Sequence, residues 1–102
     1  MNQEFKNLVI IKAVETYGGD SQVDMAVEEM SELIKALMKS RRDDVDIQES
    51  LHNIIEEIAD VEIMLEQLKL IFNCFGLVER EKEFKINRLA ERLERLKDGE
   101  QI

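Results

Sequence analysis

The 102-residue chain contains no proline, and its four glycines lie outside the segments in which apolar residues recur at helical spacing. Proline and internal glycine are the residues that most often interrupt helices, so their absence from these segments permits long ones. The chain is also rich in Leu, Ile, Glu, Lys and Arg and has few aromatic residues. This composition is typical of helical proteins. The sequence therefore predicts an all-α fold.

Apolar spacing and helix-stop residues divide the chain into four predicted helices. They cover approximately residues 3–17, 21–40, 47–75 and 78–98. Asp20 or Ser21 is expected to cap the second helix, whereas Asp46 and Glu49 have capping-box spacing at the start of the third. Gly76 is expected to end that third helix. We expect a single domain, residues 1–102, built as a four-helix bundle with long antiparallel helices.

The charge of the chain restricts its partners. It has 23 acidic and 14 basic residues and a formal net charge of −9, which repels nucleic acid and anionic lipid. Cys74 is the sole cysteine and has no partner for an internal disulfide, which favours a reducing compartment. No signal peptide and no membrane-spanning segment is recognisable. We therefore expect a cytoplasmic protein with no nucleic-acid or membrane partner.

Two seven-residue segments repeat one chemical pattern. Residues 27–33 read VEEMSEL and residues 55–61 read IEEIADV. In each, the order is apolar, acid, acid, apolar, small, acid, apolar. This repeat places three carboxylates in an apolar frame on each of two predicted helices.

Helical geometry indicates where these carboxylates point. At about 100° per residue, Glu29 and Glu57 lie inside the apolar arcs of their helices, and Glu32 and Asp60 lie on the rims, about 60° away. Antiparallel packing of the two arcs brings these four residues, hereafter the acidic quartet, together. Converging carboxylates repel one another and lose hydration, so a cation is expected between them. Oxygen ligands of high charge favour Mg²⁺, with Mn²⁺ as a substitute.

A simpler interpretation applies to acids in so acidic a chain, because Glu-rich helical faces are often merely solvated. It accounts less well for Glu29 and Glu57, which interrupt apolar stripes in the same way twice. Glu28 and Glu56 lie about 100° from these two residues, outside the apolar arcs. They either orient ligands or water behind the quartet or are solvated.

The two segments resemble the motifs of the MazG-like all-α nucleoside triphosphate pyrophosphohydrolases. That family carries E-E-x-x-E on one helix and E-x-x-D on the next, which appear here as Glu28-Glu29-x-x-Glu32 and Glu57-x-x-Asp60. The resemblance covers approximately residues 20–90 and includes the segments MAVEEMSELIKALMK and IIEEIADVEIMLEQL. It implies a helical bundle with Mg²⁺ bound by the acidic quartet. It also implies hydrolysis of nucleoside triphosphates to the monophosphate and pyrophosphate, which removes non-standard or excess nucleotides.

Other polar residues are weaker candidates for substrate contact. Lys85 and Arg88 share a face of the fourth helix, where related proteins often have a basic pair that contacts phosphates; alternatively, they pair with acidic neighbours on their own helix. Asn53 lies on the same helical face as Glu57, and Gln22 lies on the same face as Glu29. Each of the two either contacts substrate or has its hydrogen bonds satisfied at a helix boundary. Lys35 and Lys39 are expected on the solvent face of the second helix.

Two other functions compete with hydrolysis. A di-iron carboxylate bundle needs Glu-x-x-His twice, but the chain has one histidine, His52, which the helical wheel turns away from the quartet. A non-enzymatic helical interaction module needs no metal, and its acids are solvated.

Oligomerisation is expected under either the enzyme or the interaction-module hypothesis. Residues 68–75, LKLIFNCF, are apolar on nearly every side of a helix and call for cover on both faces. The fourth helix repeats apolar residues in a 3-4-3 pattern that suits helix pairing: Ile86, Leu89, Leu93 and Leu96. We expect a homodimer or homotetramer.

Overall fold

The computed structural model describes residues 1–99, and within this range all regular structure is helical. The four α-helices are α1 (Gln3–Tyr17), α2 (Gly19–Ser40), α3 (Ile47–Ile71) and α4 (Phe75–Lys97). The predicted all-α fold is therefore confirmed. Among the described residues, no helix is both long and apolar enough to cross a bilayer.

The break between α1 and α2 occurs at Gly18. Its φ of +90° lies in the left-handed region that glycine adopts most readily. Its N–H donates to the Val14 carbonyl at 2.9 Å, which ends α1, and its carbonyl accepts from Gln22 N at 3.1 Å, which begins α2. The expected cap at Asp20 or Ser21 is wrong, because both residues already lie inside α2.

The start of α3 agrees with its predicted cap. The Asp46 side chain accepts hydrogen bonds from the backbone N–H groups of Gln48 at 2.9 Å and Glu49 at 3.1 Å. These bonds satisfy two donors that the first turn of a helix otherwise leaves free.

The end of α3 differs from the prediction. The helix stops at Ile71 rather than near residue 75, because Asn73 adopts a positive φ of 49° and Cys74 already precedes α4. Gly76 lies in the first turn of α4, so its expected role as the stop of α3 is wrong. Asparagine tolerates the left-handed region better than most residues, which allows it to end a helix without glycine.

The chain divides into two compact units, Met1–Phe72 and a second that begins at Asn73 and contains α4. In the first unit, α2 and α3 make the principal helix pair, and α1 packs on both. The buried side chains of this pair are few: Ala26, Met64, Gln22 and Gln67. The single-domain organisation stays a prediction.

A candidate divalent-metal centre between two helices

A hydrogen bond between buried glutamines fixes how α2 and α3 pair. Gln22 Nε2 donates to Gln67 Oε1 at 2.7 Å, and both residues are at most 6 % exposed. Gln22 lies near the start of α2 and Gln67 near the end of α3, so the two helices run antiparallel. Gln22, for which substrate contact was one alternative, is thus a satisfied interior residue.

This pairing brings carboxylates of the two repeated segments together. Glu29 lies seven residues after Gln22 on α2, and Asp60 lies seven residues before Gln67 on α3. Seven residues are about two helical turns, so both acids lie at the same level on facing helices. One oxygen each of Glu29, Glu57 and Asp60 lies within 4.8 Å of the other two. We call these three residues the carboxylate cluster.

Glu32, the fourth member of the acidic quartet, lies outside the cluster. Its carboxylate oxygen is 3.6 Å from Lys35 Nζ, and both side chains are largely exposed. An exposed pair three residues apart on a helix stabilises the protein little, so it opposes rotation of Glu32 only weakly. Glu32 is nevertheless near enough for its charge to act on Glu57.

The electrostatics of the cluster favour a positive partner. Partial burial raises the pKa of Glu29 above its ordinary value of 4.5, and the charges of Asp60 and Glu57 raise it further. Partial burial also raises the pKa of Glu57, followed by the charges of Asp60 and Glu32. Both effects penalise the ionised form. A cation bound between the three carboxylates stabilises their ionised forms and offsets the repulsion among them.

One oxygen of the cluster has no hydrogen-bond partner. Glu57 Oε2 is shielded from solvent and is unpartnered among the described residues. A buried carboxylate oxygen without a partner is costly, and it is also a ligand atom with a free lone pair. The donor set of three carboxylates matches the oxygen ligands of Mg²⁺ and Mn²⁺.

The flanking acids lie at the solvent side. Glu28 is exposed, and its charge contributes to the raised pKa of Glu29. Glu56 is exposed, and its Oε1 lies 3.0 Å from His52 Nε2, four residues earlier on α3. His52 therefore lies beside Glu56 on the outer face and is 70 % exposed. Its position does not match that of a ligand in the carboxylate cluster.

A cavity of about 230 Å³ lies where α2 turns into α3. Asn53, one turn before Glu57, lines it together with Ser50, whose hydroxyl oxygen is shielded from solvent and unpartnered among the described residues. Lys39 and Arg42 also line it. Lys39 is exposed, as expected, but it also borders this cavity.

Sequence reasoning missed Ser50 and Arg42. Ser50 could have been noticed because it lies on the same helical face as Asn53 and Glu57. The cavity itself could not, because the turn that forms it has no recognisable sequence pattern.

The basic pair of the fourth helix lies in the second unit. Lys85 and Arg88 are exposed on α4, and the Arg88 guanidinium carbon lies 5.8 Å from the centroid of the Phe84 ring. This contact is a weak cation–π interaction at an exposed site. Phosphate binding by Lys85 and Arg88 stays a prediction.

Comparison with known proteins found no matching family model, no matching curated protein and no matching solved structure.

Proposed function

We propose that the protein is a Mg²⁺-dependent nucleoside triphosphate pyrophosphohydrolase of the MazG-like type. The single observation that carries this proposal is the convergence of Glu29, Glu57 and Asp60, from two separate helices, within 4.8 Å. The helical-wheel argument and the motif resemblance both select these three residues. The motif resemblance supplies the reaction, and the geometry of the cluster supports it.

In this proposal the three clustered carboxylates hold the metal, and Glu32 joins them when its side chain leaves Lys35. The chemistry that a Mg²⁺ ion held by these residues would supply is neutralisation of the polyphosphate charge and a lowered pKa for the attacking water. Glu57 contributes its Oε2, which has no hydrogen-bond partner in the protein and therefore breaks no hydrogen bond when it binds the metal. Glu28 and Glu56 keep the outer edge of the site negative, which retains a divalent cation and excludes free anions.

The metal also accounts for the acceptance of a polyanion by a chain of net charge −9. Without a local positive charge, the surface repels a triphosphate at long range. Lys85 and Arg88, two of the exposed basic residues of α4, are the proposed additional phosphate contacts. We further propose that the active form is a homodimer or homotetramer located in the cytoplasm.

A helical interaction module is the second candidate, and a specific observation favours it. Large apolar side chains on all four helices are exposed, which is typical of a chain that buries them against a partner. The two candidates are separated by the chemistry of the cluster. An interaction module needs neither a cation nor a nucleotide there.

The deciding experiment incubates the protein with each common ribo- and deoxyribonucleoside triphosphate and Mg²⁺, and measures pyrophosphate and monophosphate. We expect release from at least one substrate, abolished by a chelator. Glu57→Gln should reduce kcat/KM by at least about 10-fold, because loss of a direct ligand costs no less than loss of an outer partner. Glu62→Gln, an exposed α3 glutamate outside the cluster, is the matched control and should be active.

Folded protein that releases no pyrophosphate from any of these substrates would contradict the enzyme proposal and favour the interaction module. Equal activity of Glu57→Gln and Glu62→Gln would also contradict it, because the carboxylate cluster would then not be the site.

A further inference from the structure

A second row of apolar side chains on α2 does not face α3. It comprises Val23, Val27, Ile34 and Met38, hereafter the α2 row. At about 100° per residue, the centre of this row lies about 90° around the helix from the buried Ala26. Val27, Ile34 and Met38 are 61 %, 62 % and 63 % exposed, respectively. The α2 row is therefore an apolar surface that the described residues leave largely uncovered.

A matching row lies on α3. It comprises Leu51, Ile58 and Leu65, hereafter the α3 row, and each of these residues is at least 41 % exposed. Its centre lies about 120° around the helix from the buried Met64, in the same rotational sense as the α2 row from Ala26. Because α2 and α3 run antiparallel, rotations of the same sense turn both rows toward one side of the helix pair. The two rows thus form one apolar face.

The α2 row is nearly symmetric about Ser31. Val27 lies four residues before Ser31 and Ile34 three residues after it. Val23 lies eight residues before Ser31 and Met38 seven residues after it. A second α2 helix that runs antiparallel and is centred on Ser31 therefore places apolar residues opposite apolar residues along the whole row.

The α3 row is symmetric about the same level of the helix pair. Leu51 and Leu65 lie seven residues before and seven residues after Ile58. The register set by the buried glutamine pair places Ile58 at the level of Ser31, because each lies nine residues from the glutamine of its own helix. One two-fold axis at this level therefore matches both rows with those of a second copy, as in an isologous interface.

The charges beside the α2 row have the same antiparallel arrangement. Each residue of the row is followed by an exposed charged residue, and these are Asp24, Glu28, Lys35 and Lys39. In an antiparallel pair of α2 helices, Asp24 lies opposite Lys39 of the second copy, and Glu28 lies opposite its Lys35. A parallel pair would bring acids to acids and bases to bases. Charges that flank an apolar row determine the partner and its orientation in paired helices.

We propose that this apolar face binds a second copy of the chain about a two-fold axis at the level of Ser31 and Ile58. In this dimer, α2 packs antiparallel to α2 of the second copy, and α3 packs antiparallel to its α3. Glu29 lies about 160° around α2 from Val27, so the interface leaves the carboxylate cluster uncovered. The proposal does not depend on the proposed function.

The size of the face is sufficient for a stable dimer. The helices α2 and α3 contain 22 and 25 residues. At 1.5 Å per residue and a diameter of about 10 Å per helix, the face measures roughly 33 Å by 20 Å. Contact over this area buries roughly 1,300 Å² in the two copies together, which is within the range of specific protein interfaces.

The orientation of the two copies is tested by cross-linking. In a Cys74→Ser background, which removes the sole native cysteine, Ser31→Cys places one thiol of each copy close to the two-fold axis. Ser21→Cys is the matched control, because Ser21 is also an exposed serine of α2. In the proposed dimer, residue 21 is ten residues from the level of the axis, so its two thiols lie about 30 Å apart.

Treatment with a short bismaleimide at micromolar protein concentration, followed by denaturing electrophoresis, should give a covalent dimer with Ser31→Cys and none with Ser21→Cys. Equal cross-linking of both variants would overturn the proposal, because it indicates a parallel pair. Absence of cross-linking in both would also overturn it, because the chain then associates elsewhere, for example through the apolar residues of α4, or not at all. Circular dichroism verifies that each variant retains its helicity.

The charge arrangement is tested by reversal and mixing. Asp24→Lys and Lys39→Glu each place like charges opposite one another at two symmetry-related positions. Each should weaken self-association by about tenfold in sedimentation equilibrium. An equimolar mixture of the two variants restores opposite charges at both positions and should associate as tightly as the parent. Variants that self-associate like the parent, or a mixture no tighter than its components, would overturn the antiparallel α2 pairing.

Discussion

At the scale of single residues, Glu57 combines two unfavourable features. Its side chain is partly buried among like charges, and one of its oxygens has no hydrogen-bond partner. Both features destabilise the ionised protein in the absence of a cation. The cation-free protein is therefore expected to be least stable where the cluster is fully ionised.

This expectation predicts a pH dependence of the melting temperature. The pKa values of Glu29 and Glu57 are raised in the folded state, so the folded protein binds their protons more tightly than the unfolded chain does. Their contribution to stability is greatest below the ordinary pKa of 4.5 and is lost as pH rises through the folded pKa values. Without divalent cations, Glu57→Gln should therefore melt above the parent at about pH 7, with a smaller difference near pH 4.5.

Scanning calorimetry with and without Mg²⁺ measures this effect. Mg²⁺ at 100 times its dissociation constant stabilises the parent by about 2.7 kcal/mol and Glu57→Gln much less. Glu62→Gln is again the control, because it removes one negative charge outside the cluster. A parent whose melting temperature is the same with and without Mg²⁺ would contradict metal binding.

The site residues were predictable from the sequence to the extent that helix geometry determines them. The wheel placed Glu29 and Glu57 inside apolar arcs, and both are partly buried in the structure. It placed Glu32 beside them, but a wheel gives the direction of a Cα–Cβ bond and not the rotamer of a long side chain. Glu32 instead points to Lys35.

At the scale of helices, α2 and α3 pair in a register that two buried glutamines specify. Beyond the glutamine pair, Ala26 and Met64 are the buried apolar residues of this helix pair, and they lie between the glutamines and the carboxylates on their respective helices. So small an apolar core specifies register weakly. The buried hydrogen bond between Gln22 and Gln67 adds the missing specificity.

This role predicts a non-additive pair of substitutions. Gln22→Leu leaves Gln67 buried with its amide oxygen unpaired, which should cost about 1–3 kcal/mol of unfolding free energy. The double variant Gln22→Leu/Gln67→Leu replaces both partners by apolar groups and should recover most of that loss. Denaturant unfolding measures all three free energies.

The outcome of that cycle also bears on the site. If the double variant is stable but its Mg²⁺ affinity falls, the glutamine pair sets the level at which the carboxylates meet. Additive losses in the single and double variants would contradict a coupled pair.

Helix ends were less predictable than helix identity. The long apolar run before Cys74 contains no proline or glycine, so no residue in it predicts that α3 ends at Ile71. The break depends on a left-handed Asn73, a conformation that helical periodicity does not predict. Similarly, the cavity at the α2–α3 turn depends on the path of residues 41–46, which periodicity does not specify.

At the scale of the whole molecule, the described helices bury little apolar surface and expose much. On α4, the apolar residues of the 3-4-3 pattern are each more than half exposed. Exposed leucines at this spacing form a stripe that suits packing against another helix. The all-α class could be predicted from the sequence. The surface that packs against this stripe could not.

We predict that the 11.9 kDa chain is a dimer or tetramer by light scattering at micromolar concentration, because burial of the stripe removes apolar surface from water. Leu89→Ser/Leu93→Ser should lower the measured mass. Glu91→Ser/Glu94→Ser, which shortens two side chains elsewhere on α4, is the matched control and should keep it. A monomeric mass for the parent protein would contradict the oligomer.

The most direct measurement is an anomalous difference map from crystals grown with Mn²⁺. Metal binding by the carboxylate cluster predicts a peak coordinated by oxygens of Glu29, Glu57 and Asp60, and the loss of that peak in Glu57→Gln. A map in which these three carboxylates lie apart, or in which Mn²⁺ binds elsewhere and leaves them unliganded, would contradict it.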